Sequence, residues 1–195
     1  MNKGNAFIEI EIQVQISNSA ELLKFLEKDA EYVGEAHQID TYYSLAHRDF
    51  IAVRPVEEWL RLRDSSGKQS INYKKWHYEE DGRSHFCDEF ETVIQDISQL
   101  EKILTALDMK VLVVVDKSRR IWNYKDYEIS LDSIKELGDF VEIEYKGKGA
   151  QKEPKEITAE MIDFLKQFNV GEISKNYVGY PFQLLFPDEV ECERI

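Results

Sequence analysis

Residues Phe7 to Ile16 read FIEIEIQVQI: apolar side chains take the even positions, and Glu9, Glu11, Gln13 and Gln15 take the odd ones. Alternation with period two predicts a half-buried strand, and here it stands two carboxylates on one face. At about 3.3 Å rise per residue they lie roughly 6.6 Å apart along the strand. Their repulsion is about 2.5 kcal/mol at an effective dielectric near 20, and below about 1 kcal/mol in bulk water. Two chemistries suit such a pair. It is either a solvated face or a set of oxygen donors for a hard divalent cation.

The same sorting recurs along the chain. Glu89 with Glu91, Glu128 with Asp132, and Glu142 with Glu144 each share a strand face, while Arg61 with Arg63 and Lys117 with Arg119 are basic counterparts. A merely solvated face usually intersperses both signs, because opposite charges across strands stabilise and like neighbours do not. A sheet curled with its polar face inward would instead line a tunnel, with carboxylates for a cation and Arg and Lys for a polyanion. Together these parts suit a metal-bound phosphate chain and the charge neutralisation that phosphoryl transfer requires.

The elements that position these residues follow from the apolar pattern. Strands are predicted at Phe7 to Ile16, near Asp40 to Leu45, and at Trp59 to Arg63, Ile71 to Trp76, Asp88 to Ile94, Leu112 to Trp122, Tyr127 to Leu131 and Phe140 to Tyr145. Helical spacing joins Leu22, Leu23, Leu26, Ala30 and Val33; Ile97, Leu100, Ile103, Leu104 and Leu107; and Ile157, Met161, Ile162, Leu165 and Phe168. Asn18 with Glu21 and Asp96 with Gln99 have the spacing of a capping box. DSSGKQS, EEDGRS and KGKGAQKEPKE read as turns or loops, with Ser65 to Gly67 a plain hairpin turn rather than a phosphate cradle. One of Tyr42 and Tyr43 should pack inward and the other face the polar side. The four histidines lack a ligand spacing.

The formal charge of -13 in 195 residues argues against nucleic acid or an anionic membrane as partner. Any anion must therefore meet a local basic pocket. With 43% hydrophobic residues the chain is expected to form a single domain over 1–195, with an acidic tail from about 187. No apolar run spans a bilayer and no leader is apparent, which makes the cytoplasm the expected compartment. Cys87 and Cys192 read as reduced thiols.

Several motifs in order resemble the CYTH superfamily, the triphosphate tunnel metalloenzymes. EIEIQ (Glu9 to Gln13) resembles the signature Glu-x-Glu-x-Lys; DTYYS, WLRLR, NYKKW, DEFET, VDKSRRIW and LGDFVEIE follow, and SKNYVGYPFQLL resembles the closing segment. The resemblance runs from about Phe7 to Leu185. It implies an α+β fold: an eight-stranded antiparallel β-barrel, the triphosphate tunnel, with helices packed outside.

It further implies Mg²⁺ or Mn²⁺ held by Glu9, Glu11, Asp132, Glu142 and Glu144, and phosphate contacts from Arg61, Arg63, Lys74, Lys117, Arg119 and Lys175. Glu9, Glu11 and position 13 are the implied catalytic residues, and Glu89 and Glu91 are a second acidic pair for another metal or for water. Motif alignment chooses Lys74 over Lys75, and strand alternation chooses Arg119 over Arg120. The expected reaction acts on ATP, inorganic triphosphate or thiamine triphosphate, by class IV adenylyl cyclase chemistry or by hydrolysis. Gln13 stands where the signature has lysine and removes a positive charge, so a non-catalytic nucleotide or polyphosphate binder is the alternative. A homodimer is left open.

Overall fold

A computed structural model describes residues 10–78, 84–147, 153–176 and 178–195. Phe7 to Glu9 of the first expected strand, and 79–83 and 148–152 of two expected loops, lie outside these residues. Among these residues are ten strands and four α-helices: β1 Glu11–Gln15, α1 Ala20–Asp29, β2 Glu31–Leu45, β3 Glu58–Ser65, β4 Lys68–Tyr78, β5 Ser84–Val93, α2 Ile97–Ala106, β6 Met109–Tyr124, β7 Tyr127–Ile134, β8 Gly138–Tyr145, α3 Pro154–Leu165, β9 Ser174–Lys175, α4 Tyr180–Leu185 and β10 Glu193–Arg194. The hydrogen-bonded order is β10-β9-β1-β8-β7-β6-β2-β3-β4-β5. This is the antiparallel α+β class expected. All eight expected strands exist, and the two-residue β9 and β10 extend the order beside β1, so that among the described residues it has two ends rather than closing on itself.

Contacts gather the chain into two compact units, one of Ile10–His37 and Asp116–Ile195, the other including Gln38–Val115. In the first, Ile12 and Val14 of β1, Ile129 and Leu131 of β7 and Val141 and Ile143 of β8 form an apolar face. Onto it pack Leu22 and Leu26 of α1 and Ile157, Met161 and Leu165 of α3. Phe25, Tyr124, Phe164 and Phe168 close one side with edge-to-face and stacked rings 5.0 to 5.7 Å apart. Ile143 is 1% exposed, so Ile143→Val removes one packed methyl and should cost about 0.5 to 1.5 kcal/mol by urea unfolding. A loss outside that range would show that the face is packed differently.

The other unit has a smaller core, in which Leu104 of α2 meets Tyr43 and Leu62, with Leu60, Ile71, Ile97 and Leu100 around them. Its β3–β4 hairpin turns at Ser66 and Gly67, both at positive φ (50° and 89°), the backbone twist that two-residue hairpins favour. The Gly67 amide donates to Asp64 Oδ1. This is the plain turn expected.

Two local expectations are corrected. Val33 does not continue α1, because Ala30 is extended (φ −119°, ψ 157°) and the β-forming run after it opens β2 at Glu31. The Asn18–Glu21 capping box does not form: Asn18 Oδ1 accepts from the Ala20 amide, while Glu21 turns away to accept from the Asn169 amide. The Asp96 cap does form, its carboxylate accepting from the Gln99 amide at 3.0 Å.

Candidate active site

Strand register decides which charges meet. In the unit of Ile10–His37 and Asp116–Ile195, β1 pairs with β8 so that Glu11 is opposite Glu144 and Gln13 opposite Glu142. On β7, Ser130 is opposite Glu142 and Glu128 opposite Glu144. On β6, Arg119 is opposite Asp132. Directly opposed residues of an antiparallel pair share a face, so the side that is not apolar core carries Glu11, Gln13, Glu142, Glu144, Asp132, Arg119 and Lys117.

At its centre Arg119 clasps Asp132 with two parallel bonds, Nε to Oδ1 at 2.7 Å and Nη2 to Oδ2 at 2.6 Å, and the same Nη2 reaches Glu142 Oε2 at 2.7 Å. Asp132 also accepts from the Tyr180 hydroxyl at 2.9 Å and from Lys117 Nζ at 3.5 Å. Tyr180 lies on α4, with its ring edge-on to Phe140 and 5.1 Å from the Lys117 ammonium. The Asp132 side chain is fully buried, and a buried carboxylate of this kind is tolerated only because it is fully paired.

The charges hold one another. Burial alone would raise the Glu142 pKa, but the nearby Arg119 and Lys117 cations and the Gln13 amide together hold it down at about 2. Burial works against the Arg119 charge, and Glu142 and Asp132 more than offset this, leaving its pKa raised. Burial and the adjacent Asp132 push the Tyr180 phenol well above its ordinary value, so it remains a hydrogen-bond donor. Gln13 Oε1 is buried with no hydrogen-bond partner, and Lys146, beyond the end of β8, is ion-paired with Glu144.

The Gln38–Val115 unit has a parallel construction. Arg63 is opposite Asp40 and Arg61 opposite Tyr42 on β2; on β4, Asn72 is opposite Arg61, and Lys74 is opposite Trp59; on β5, Glu91 is opposite Asn72 and Glu89 opposite Lys74. Buried Asp40 accepts a two-bond clasp from Arg63, both bonds at 2.6 Å, and a longer bond of 3.4 Å from Arg61. Asn72 and Lys74 hold Glu89, at 2.5 and 3.3 Å, and Ser70 donates to Glu91. Burial raises the Glu89 pKa, and Lys74 and Asn72 lower it further than burial raises it, so the net shift is downward. The Arg61 Nε is buried without a partner.

On the opposite side of this unit Tyr73 donates to Glu58 at 2.5 Å, and burial with that bond pushes its phenol up to about 12. A phenol whose folded pKa lies above its unfolded value of about 10 contributes stability below that pH. The contribution is lost as pH rises from about 10 through about 12. Tyr73→Phe should therefore flatten the fall in stability over that window in urea titrations; an unchanged slope would refute the assignment.

The structure thus brings Glu11, Gln13, Glu142, Glu144, Asp132, Lys117 and Arg119 onto one face, and Arg61, Arg63, Lys74, Glu89 and Glu91 onto another. Lys75 is opposite Glu58 and Asp88, away from Arg61, and Arg120 lies over the Trp122 ring, so each lies on the face opposite to that of its neighbour, Lys74 or Arg119. Tyr42 shares the face of Arg61, buried with its ring edge-on to Trp59 at 5.6 Å, while Tyr43 joins the core of Leu62 and Leu104, so both tyrosines pack. Lys175 is opposite Val14 rather than Gln15, which sets it apart from the Gln13 row. Glu9 lies outside the described residues. Asp40, Asn72 and Tyr180 had not been assigned roles. The signal for Asp40 was an acid within a strand two places before Tyr42, and the signal for Tyr180 was Gly-Tyr-Pro, a helix start with proline in the first turn.

Carboxylate and amide oxygens are the donors that Mg²⁺ and Mn²⁺ take, and the unpartnered Gln13 Oε1 is one more such oxygen. The donor chemistry of the Glu11, Glu142 and Glu144 row fits a hard cation. Among the described residues no three acidic, His or Cys side chains converge on one point, and the Asp132 oxygens are occupied by Arg119, Tyr180 and Lys117. Asp132 fits an anchor for the arginine better than a ligand.

A model of the CYTH domain family matches residues 7–180; the chain belongs to this family. It is 30% identical over 175 residues to "Putative adenylate cyclase MJ0240" of Methanocaldococcus jannaschii, covering 88% of this chain and 97% of that protein. Among solved structures, the PH1012 protein of Pyrococcus horikoshii OT3 is similar at 25% identity and TM-score 0.65, covering 84% of this chain and 91% of its own. The PH1819 protein of the same organism gives 24% and 0.72, covering 93% and 99%. The Hippeastrum protein HpAC1, described as a "putative adenylyl cyclase" with a dominant triphosphatase activity, gives 20% and 0.65, covering 94% and 97%. The last two share the fold.

Proposed function

We propose that this CYTH-domain protein is an Mg²⁺- or Mn²⁺-dependent enzyme acting on a triphosphate. The observation that carries the reading is the row of Lys117 and Arg119 on β6 set against Asp132 on β7 and Glu142 on β8, on one face of the sheet. Arg forks match phosphate oxygens and Lys supplies a compact charge. Glu11, Glu142 and Glu144, with Glu9, would hold the cation, which when bound neutralises charge on the phosphate oxygens. Asp132 and Tyr180 fix the Arg119 guanidinium, so its direction is set before substrate arrives. Lys117 and Lys175 are proposed phosphate contacts, as are Arg61, Arg63 and Lys74 in their own unit; two of the Arg63 donors are already used by Asp40. Glu89 and Glu91 are proposed to position water or a further cation. The 1–195 chain is read as one functional domain acting in the cytoplasm. Among the described residues no helix is long and apolar enough to cross a membrane.

Two reactions suit this chemistry. Water attacking the terminal phosphorus gives hydrolysis, and a ribose 3′ hydroxyl attacking the α-phosphorus gives cyclic AMP and pyrophosphate. The descriptions of the Methanocaldococcus and Hippeastrum proteins support keeping both. The test is incubation with Mg²⁺ or Mn²⁺ and inorganic triphosphate, ATP or thiamine triphosphate, following phosphate, pyrophosphate and cyclic AMP. One of these products is expected. No product from any substrate, together with ligand-induced thermal stabilisation, would establish the second reading, a non-catalytic binder. That reading is motivated by Gln13, whose neutral amide bonds Glu142 where the resemblance expects a cation.

A further inference from the structure

We infer that the Arg119–Glu142 bond couples cation binding to polyphosphate binding, because each ligand must break it and the two together break it only once. The inference rests on the reading of function above. Arg119 Nη2 is shared, 2.6 Å from Asp132 Oδ2 and 2.7 Å from Glu142 Oε2. The two carboxylates are not equivalent. Asp132 has no exposed side-chain surface and is also held by Tyr180 and Lys117. Glu142 keeps 17% of its side chain exposed on the strand face and stands opposite Gln13, so Glu142 is the partner that can leave.

A cation arriving alone takes the Glu142 oxygens and leaves Nη2 short of an acceptor. A polyphosphate arriving alone takes Nη2 and leaves Glu142 without its counter-charge. Either event takes a close partner from a largely desolvated charge, Glu142 from Arg119 or Arg119 from Glu142, which is costly. When both ligands are present, Glu142 turns to the cation and Arg119 to a phosphate oxygen, and every charge is paired again. Asp132 keeps the guanidinium in place throughout. Coupling of this kind is reciprocal and amounts to about 5- to 150-fold in affinity. The free protein is thereby disposed to bind the metal-phosphate complex in preference to either component.

Each half is testable with one ligand at a time. In EDTA, where metal-dependent turnover is excluded, calorimetric titration with inorganic triphosphate should show Glu142→Gln binding about 5- to 150-fold more tightly than the unmodified protein. Glu144→Gln removes the same charge from a neighbouring site on the same face that does not bond Arg119, and should change affinity far less. In a separate titration Mn²⁺ alone, followed by the paramagnetic resonance of the free ion, should bind Arg119→Lys more tightly, because a lysine anchored at Asp132 releases Glu142.

Equal affinity of Glu142→Gln and the unmodified protein for triphosphate, or an equal gain in Glu144→Gln, overturns the coupling while leaving the proposed function standing. Absence of triphosphate binding in all three proteins overturns both. Should Glu142→Gln fail to fold, as judged by circular dichroism, the Mn²⁺ titration of Arg119→Lys decides alone: unchanged or weaker binding refutes the coupling.

Discussion

Arg119→Ala is expected to cost about 3 to 5 kcal/mol of stability, the range for removing one partner of a buried ion pair. For a chain of this length that lowers the melting temperature by roughly 6 to 20 °C. The cause is what remains behind. Asp132 would keep the Tyr180 hydroxyl and a distant Lys117 ammonium but lose both short bonds, and Glu142 would lose its nearest cation. Arg119→Lys should recover part of the loss, since charge is kept but the two-bond geometry is not. Urea unfolding of both variants in EDTA is the measurement. A loss below about 1 kcal/mol, the level of a solvent-exposed pair, would show that the cluster is hydrated and that Asp132 is available for other roles.

Gln13→Lys is expected to raise turnover about 10- to 150-fold, the equivalent of one charge-assisted contact of about 1.5 to 3 kcal/mol. The position stands opposite Glu142, and its side-chain oxygen is buried without a partner. A lysine ammonium there would stand on the same face as Arg119, where a phosphate oxygen is proposed to bind. Steady-state rates with Mn²⁺ and inorganic triphosphate test this, with Gln13→Met as the uncharged control of similar length. A rate unchanged or reduced in Gln13→Lys would mean that the missing cation does not limit the chemistry, or that the new ammonium is neutralised by Glu142.

The strands were legible because one side of each is apolar. Alternation in FIEIEIQVQI, WLRLR and FVEIEY directly identifies which residues share a face, and register then sets the faces of paired strands side by side within each unit. Less legible was which charges would satisfy one another. Asp132 and Glu142 look alike in sequence, yet one is sealed under Tyr180 and the other borders Gln13, a distinction created by α4, whose six residues are too few to show a helical period. The place of Lys175 opposite Val14 was not legible, because a two-residue strand has no alternation to count. The end of α1 was hidden for a different reason: Val33 falls at helical spacing from Leu26 and Ala30, and only the backbone at Ala30 shows that the strand has already been prepared.

Pairing of β1 with β8 and β9 has a consequence for how the chain is made. Glu11 meets Glu144 and Val14 meets Lys175, so the segment bearing the candidate catalytic side chains is synthesised well before the strands it pairs with. At about 5 to 20 residues per second, about 130 positions of synthesis separate β1 from β8, a wait of roughly 7 to 27 s. Through that interval an alternating apolar strand has both edges open, the condition that favours association between nascent chains. The acidic side chains on its polar face discourage such pairing, so the residues proposed to hold a cation in the finished protein also protect the unfinished one.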